Sequence, residues 1–225
     1  MKFNKKDFIE IEFTGKTKDG MVFDSNIKED LKKSNLNADA KPFVFALGEG
    51  MFLKGIDEFL IGKEIGQYKI ELKPEDAFGQ RNPKMIQMIP IKVFREQKIN
   101  PVQGIMFNFD GRPAKILTVS GGRVMVDFNN PVAGKEVVYD VKVLKKIDDA
   151  NEKVKALNDF FFRGHLKFHI QDSPKGTSKK VIFEVEKPLV QFVDLFKDKF
   201  KEILDMEIEA QEVEGKQKEE PKTPK

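Results

Sequence analysis

The chain of 225 residues contains no cysteine and only two histidines, His165 and His169. Without cysteine it can form no disulfide, thiolate nucleophile or cysteine-ligated metal cluster. The histidines lie in a segment with alternating apolar residues, which predicts a strand, and residues four apart on a strand are separated by roughly 13 Å. Both are therefore expected to be surface residues, and we expect no metal and no other cofactor.

Long apolar runs and arginine are also scarce. No uncharged apolar segment reaches the ~18 residues that a membrane span requires, and the first residues lack the apolar centre of a secretion signal. The 40 basic and 37 acidic residues nearly balance, and only five of the basic residues are arginine. Because nucleic-acid binding relies on basic, arginine-bearing surfaces, we expect neither nucleic acid nor a membrane as partner. A chain without cysteine favours a reducing, cytoplasmic compartment.

Hydrophobic residues make up 40% of the chain, and they occur mostly in short alternating runs that predict strands. The predicted strands are 8–13, 21–23, 42–47, 68–72, 105–109, 114–119, 123–128, 137–147, 166–170 and 181–185, with a possible short strand near 208–210. Thr14-Gly15 is interpreted as the end of the first strand, and Asp19-Gly20 as a hairpin turn. Helical spacing predicts helices at 55–61 and 154–161 and one further helix over 189–204, whereas 26–41 is predicted to be a loop.

Changes in this pattern divide the chain into an α+β, multidomain arrangement. Residues 84–130 hold half of the eight methionines and are predicted to form a small all-β insert within a β-rich domain made of 1–83 and 131–148. Residues 149–211 are predicted to form a C-terminal α/β domain. Residues 212–225 are charged and contain two prolines, which predicts a disordered tail.

Two patterns suggest other chemistry, but neither meets the requirements of the site that it resembles. Gly48-Glu-Gly50 resembles the start of a dinucleotide-binding loop, but Leu53 stands where the third glycine is required. The acidic pairs Glu10/Glu12 and Glu184/Glu186 lie on the polar faces of predicted strands, so they are interpreted as solvated rather than catalytic.

Six separated segments form a recognisable series: Ile11–Gly15, Asp19–Ser25, Pro42–Gly48, Lys54–Ile56, Pro74–Gly79 and Val138–Val141. Together, in this order and spacing, they resemble the FKBP-type peptidyl-prolyl isomerases. The resemblance implies an antiparallel β-sheet wrapped on a short helix. Residues 84–130 are similar to the insert-in-flap domain of the SlyD-like and archaeal members, and the whole chain resembles the long archaeal type with its extra C-terminal domain.

The resemblance implies catalysis of rotation about the bond before proline, and it assigns the site residues. Catalytic positions correspond to Asp24, Phe78, Tyr139 and Phe13, and substrate-binding positions to Phe23, Phe43, Phe52, Leu53 and Ile56. Ile56 would form the floor under the proline ring, and aromatic side chains, including Tyr139, would form the walls. Asp24 would lie near the twisted carbonyl, and the Leu53 N–H would anchor the peptide.

Three positions depart from the family, which usually has tyrosine where Phe13 and Phe78 stand and often tryptophan where Ile56 stands. The missing hydroxyls leave open an alternative function, a chaperone or assembly-binding module with little or no isomerase activity. Expected partners are unfolded or partly folded proteins with X-Pro bonds, bound through the methionine- and phenylalanine-rich insert. A homodimer through the C-terminal domain is the preferred oligomer.

Overall fold

The structure is a computed structural model that describes residues 1–109, 111–172 and 179–213. Its contacts divide the chain into two compact units. The first unit comprises Met1–Thr14, Ser25–Tyr68 and the residues from Asp140 onward, and the second comprises Gly15–Asp24 and Lys69–Tyr139. Within the described ranges, no helix has both the length and the apolar character needed to cross a membrane.

Strands and short helices alternate along the described chain. The strands are β1 (Phe8–Thr17), β2 (Val22–Ser25), β3 (Phe43–Ala46), β4 (Gly66–Leu72), β5 (Ile86–Pro90), β6 (Met106–Phe109), β7 (Arg112–Ser120), β8 (Arg123–Asp127), β9 (Val137–Ile147), β10 (Lys167–Asp172), β11 (Lys179–Val185) and β12 (Glu207–Glu212). The α-helices are α1 (Lys28–Lys33), α2 (Lys54–Leu60), α3 (Ile91–Glu96), α4 (Ala150–Phe162), α5 (Val190–Asp194) and α6 (Lys197–Leu204). The mixed α/β class with antiparallel sheets agrees with the expectation from the sequence.

The largest sheet has the strand order β2-β1-β9-β4, and β3 pairs antiparallel with the first half of β1. Strand β9 places Val137, Tyr139, Val141 and Val143 on its buried face, as the alternation predicts. Helix α2 follows β3 after a short loop and ends before Gly62, whose positive φ of 80° suits glycine.

The part of the second unit that contains the predicted insert is a four-stranded antiparallel sheet in the order β5-β8-β7-β6. Gly121 and Gly122, both with positive φ, form the predicted turn between β7 and β8. Helix α3 places Phe94 in a small core with Ala114, Ile116, Val124 and Val126. The expectation of strands alone over 84–130 is therefore wrong, because this core is completed by a helix.

Residues after β9 form a three-stranded sheet, β10-β11-β12, with helices α4, α5 and α6. β10 pairs antiparallel and β12 parallel with the central strand β11. Phe162 lies among other rings of this core, with ring centroids 5.3 Å from Phe183 and 5.1 Å from Phe196. The predicted tail begins too early, because Glu212 belongs to β12 and the Val213 amide donates to the Val185 carbonyl. Residues 214–225 of that prediction lie outside the described residues.

Three further predictions are corrected. Strand β1 continues through Gly15 to Thr17 instead of ending there. The predicted loop over 26–41 contains α1, which buries Leu31 and carries acidic residues in its first turn and lysines in its last turn, as the helix dipole favours. The single helix predicted over 189–204 is two helices, because the chain tightens where the Phe196 amide bonds to the Val193 carbonyl.

Candidate active site

In the second unit, a tyrosine hydroxyl and a carboxylate form the polar centre of the candidate site. Tyr139 lies on β9 and is completely buried, and its hydroxyl donates a hydrogen bond of 3.0 Å to Oδ2 of Asp24 on β2. Burial, with the charge of Asp24 and this hydrogen bond, raises the pKa of Tyr139 far above its usual value. The hydroxyl therefore stays protonated and acts as a permanent donor to Asp24.

Aromatic rings surround this pair within the same unit. The Phe23 ring lies edge-to-face against both Phe78, with centroids 5.5 Å apart, and Tyr139, with centroids 5.9 Å apart. Gly15 on β1 lies directly beside these rings, since a Cβ at this position would come within 2.7 Å of Cζ of Tyr139. The glycine thus makes room for the tyrosine, a role that its interpretation as a strand end missed. No residue pattern signals this role, because Lys16, Thr17 and Lys18 after Gly15 are all polar.

In the first unit, a second aromatic cluster forms around Phe52. Its ring centroid lies 5.0 Å from that of Phe13 on β1, 5.4 Å from that of Phe43 and 5.6 Å from that of Phe45, both on β3. Phe43 and Phe45 are two residues apart on a strand, so they share one face and stack at 5.3 Å. Phe45 is completely buried and supports the half-buried rings of Phe43 and Phe52. Sequence reasoning did not include Phe45 in the site.

The loop before α2 presents a backbone donor beside this cluster. Leu53 is the residue that caps α2, and its carbonyl accepts hydrogen bonds from the amides of Ile56 and Asp57. The Leu53 amide itself has no acceptor among the residues that the structure describes. Ile56, the predicted floor, is completely buried. Its side chain therefore supports the surrounding residues and offers no accessible surface in this conformation.

A buried acid on α2 shapes the same loop. Asp57 is 4% exposed, and its Oδ2 accepts a hydrogen bond of 3.3 Å from the Gly50 amide. Burial raises the pKa of Asp57 to about 6, the amides of Gly48 and Gly50 oppose this rise, and the charges of Glu49 and Glu58 add to it. No sequence pattern indicates this residue, because the burial of one acid in a short helix does not change the spacing of apolar residues.

All nine residues that the resemblance assigned thus lie in two described groups. Asp24, Phe23, Phe78 and Tyr139 come together in the second unit, and Phe13, Phe43 and Phe52 come together in the first, where Leu53 and Ile56 flank α2. The rejected acidic pairs behave differently: Glu10 and Glu12 of β1 form ion pairs with lysines of β9. In the described ranges, no group of three or more histidine or acidic residues could hold a metal ion.

Chemically, the two groups offer apolar surface, one hydrogen-bonded carboxylate and one backbone donor. They contain no activated nucleophile. Such an arrangement can bind an apolar ring and alter the polarity around a peptide group, whereas covalent catalysis requires a nucleophile paired with a base.

Comparison with known proteins adds independent information. The family model described as FKBP26, IF domain, matches residues 87–132. A short-type peptidyl-prolyl cis-trans isomerase of Methanocaldococcus jannaschii is 33% identical over 143 residues, which cover 62% of this chain and 90% of that protein.

Two bacterial relatives match a similar share of the chain. The FKBP-type 16 kDa peptidyl-prolyl cis-trans isomerase of Escherichia coli strain K12 is 31% identical over 147 residues, covering 63% of this chain and 91% of that protein. The FKBP-type peptidyl-prolyl cis-trans isomerase SlyD of Pasteurella multocida is 28% identical over 160 residues, covering 68% of this chain and 74% of that protein.

Proposed function

This chain belongs to the FKBP-type peptidyl-prolyl cis-trans isomerases, and we propose that the two residue groups described above perform its isomerisation. The family resemblance expected from the sequence is confirmed by the relatives, and with it the enzyme class. The roles of the individual residues, the chaperone activity of the insert, the oligomeric state and a cytoplasmic location are proposals. Fractionation of the source cells would test the last of these.

The reaction makes and breaks no covalent bond, and it depends on the polarity of the surroundings of the amide. Rotation about the X-Pro bond breaks amide resonance against a barrier of ~18–20 kcal/mol and takes tens to hundreds of seconds without a catalyst. The twisted amide has less charge separation than the planar amide, so an apolar environment favours the twisted state relative to water. A site of this kind works without metal, cofactor or nucleophile.

Each group is assigned a part in this reaction. The half-buried rings of Phe43 and Phe52 provide apolar surface for the proline ring, and the Leu53 amide donates to a carbonyl of the bound peptide. Asp24, held in place by the Tyr139 hydroxyl, lies near the carbonyl group of the twisted amide and interacts with it. The observation that carries the proposal is the 3.0 Å hydrogen bond between Tyr139 and Asp24 among the rings of Phe23 and Phe78.

The direct test is proline-limited refolding of a denatured protein, together with isomerisation of a short X-Pro peptide. We expect Asp24→Ala to lower kcat/KM in both assays by at least about tenfold, since a preorganised polar group is lost. Phe78→Tyr restores the hydroxyl usual in the family and should raise activity by a factor that corresponds to about 0.5–1.5 kcal/mol. If the wild type and Phe78→Tyr are both inactive, the alternative function as a binding module is favoured instead.

We further propose that the insert captures unfolded segments and passes their prolines to the isomerase site. Its core uses Phe94, but many apolar side chains of this region remain exposed; they are Met85, Met88, Val102, Ile105, Met106 and Val119. Methionine adapts to varied partners because its side chain is flexible and polarisable. Deletion of residues 84–130 should slow catalysed refolding of a protein more than isomerisation of a short peptide. An equal loss in both assays contradicts this division of labour.

We propose in addition that the chain forms a homodimer through the region after β9. The exposed apolar residues there lie on α4 and around α5, and they are Phe160, Leu189, Phe192 and Leu195. Leu195 is 76% exposed, which is unusual for leucine beside a phenylalanine-rich core. A second copy of the chain covering this face would remove that surface from water.

A further inference from the structure

Positive charge is concentrated in the insert. Residues 84–130 contain seven basic and three acidic residues, a net charge of +4, whereas the whole chain has a net charge of +3. All other residues together therefore carry a net charge of about −1. The basic residues of the insert are Lys84, Lys92, Arg95, Lys98, Arg112, Lys115 and Arg123.

The described acids of the insert are already engaged. Asp127 is buried, forms an ion pair with Arg81 and accepts hydrogen bonds from the backbone and the side-chain amide of Asn129. Glu96 lies 3.8 Å from Lys92 one turn away on α3. By contrast, neither Lys84 nor Arg112 forms an ion pair with another described residue.

These two cations lie at a groove of about 450 Å³. Its apolar lining consists of Met85, Phe109 and Phe128, and the rings of Phe109 and Phe128 are 6.1 Å apart. The polar residues Lys84, Gln87 and Arg112 complete the wall and are exposed. A groove of this size accommodates an aliphatic or aromatic side chain, with positive charge on its rim.

The same combination recurs on the sheet. Met88 of β5 is paired with Met125 of β8, and Arg123 Nη1 lies 3.7 Å from the Met88 sulfur. Met106 of β6 is paired with Lys115 of β7, and paired residues of an antiparallel sheet point to the same face. Met88 and Met106 therefore lie on the same face of the sheet as Arg123 and Lys115.

We propose that the insert selects unfolded segments in which aliphatic or aromatic side chains are flanked by aspartate or glutamate. The proposal rests on the chaperone role proposed above and names its class of client. The apolar residues of the groove, Met85, Phe109 and Phe128, provide affinity for the central side chain. The cations provide selection and faster association, because opposite charges attract and like charges repel the approaching segment. The preference should weaken as salt screens these charges.

The test uses the full chain and three fluorescent peptides of equal length. Each has a central Phe-Leu pair, flanked on both sides by two aspartates, two glutamines or two lysines. We expect the aspartate peptide to bind at least ~10-fold more tightly than the lysine peptide at low ionic strength, and this ratio to shrink in 1 M salt. The glutamine peptide should lie between them.

Two double variants test whether the groove residues cause the preference for the aspartate peptide. Lys84→Glu with Arg112→Glu should abolish or reverse the preference for the aspartate peptide. Lys2→Glu with Lys41→Glu makes the same change of net charge at exposed positions of the first unit, and it should retain the preference. Isomerisation of a short uncharged peptide, which should be unchanged in both variants, confirms that each one is folded.

The outcomes separate the two proposals. If all three peptides bind equally, or the lysine peptide binds best, the charge selection is overturned while the chaperone role stands. If the control variant loses the preference as fully as the groove variant, net charge and not the groove decides, and the proposal is again overturned. If no peptide binds and deletion of 84–130 does not affect protein refolding, the chaperone role fails with it.

Discussion

Tyr139 is one of only two tyrosines in the chain, and its hydroxyl holds Asp24. We expect Tyr139→Phe to lower kcat/KM for X-Pro isomerisation by about 5- to 30-fold, which corresponds to about 1–2 kcal/mol for a hydrogen bond to a partly hydrated carboxylate. Tyr68→Phe is the matched control, because the hydroxyl of the half-buried Tyr68 bonds only to the backbone of Glu64, donating to its carbonyl and accepting from its amide. Equal activity of the two variants would contradict a positioning role for Tyr139.

Asp57 links stability to pH. Its folded pKa of about 6 exceeds the ordinary value of 3.8, so the folded state binds this proton more tightly than the unfolded state. This contribution to stability is complete below about pH 4 and is lost as the pH rises through 6. Asp57→Asn should therefore increase the free energy of unfolding at pH 7.5 by about 1–3 kcal/mol, and hardly at all at pH 4.

Urea unfolding at both pH values measures this effect, with Glu29→Gln, a change at an exposed acid of α1, as the control. A gain at pH 4 as large as that at pH 7.5 would show that the ionisation of Asp57 is not its cause.

Gly15 is required by packing rather than by backbone conformation. A Cβ would come within 2.7 Å of Tyr139 Cζ, and this fully buried ring has little room to move. Gly15→Ala should destabilise the protein by about 1–3 kcal/mol in urea unfolding, as overpacked cores do. Gly66→Ala, whose nearest contact would be an ordinary 3.4 Å from the Tyr68 hydroxyl, is the comparison and should cost clearly less.

The motifs that resemble the family select Asp24, Tyr139 and the aromatic residues by type and spacing, and their roles in the site stay predictions. The hydrogen bond that joins Asp24 to Tyr139 could not be predicted, because it depends on how β2 and β9 are placed in three dimensions. The same holds for Asp57, whose burial is a property of the fold.

Residues 81–85 and 127–129 lie at the two ends of the insert, and we call them its neck. They are joined by a set of polar contacts. The Asn129 side chain bonds to both the amide and the carbonyl of Asn82, and the Phe128 amide donates to the Met85 carbonyl. Nearby, Asp127 forms an ion pair with Arg81. These contacts hold the two ends of the insert side by side.

Asn129→Ala should loosen this neck. The change removes the bonds to Asn82 and one donor to the buried Asp127 carboxylate, at a cost of about 1–3 kcal/mol. Hydrogen exchange should show faster exchange of the Asn82 and Phe128 amides. Asn108→Ala, on the exposed side of β6, should leave these amides protected. Unchanged protection in Asn129→Ala would show that the backbone bonds alone hold the neck.

Strand β9 is predicted correctly to the residue, whereas two of the short helices are missed. Helices α1 and α3 have six residues each, less than two turns, so periodicity cannot reveal them. The break between α5 and α6 escaped detection because the i→i+3 bond at Phe196 turns the chain almost as a helix does, and the apolar stripe continues.

For the chain as a whole, the exposed phenylalanine and leucine side chains around α5 predict self-association. If they lie in a homodimer interface, the thermal midpoint rises with protein concentration. Leu195→Glu with Phe192→Glu should remove this dependence and halve the mass in light scattering, while Leu204→Glu, at the end of α6, tests nonspecific loss of apolar residues. A wild type that is monomeric at all concentrations would contradict the dimer.

The paired ends of the insert have a consequence for the history and engineering of such chains. The insert leaves the surrounding domain and returns to it at the neck, where its two ends lie side by side. Such a segment can be replaced by another one, since the surrounding domain needs only two adjacent attachment points. Client preference could then diverge between lineages by replacing this segment, while the catalytic machinery is inherited unchanged.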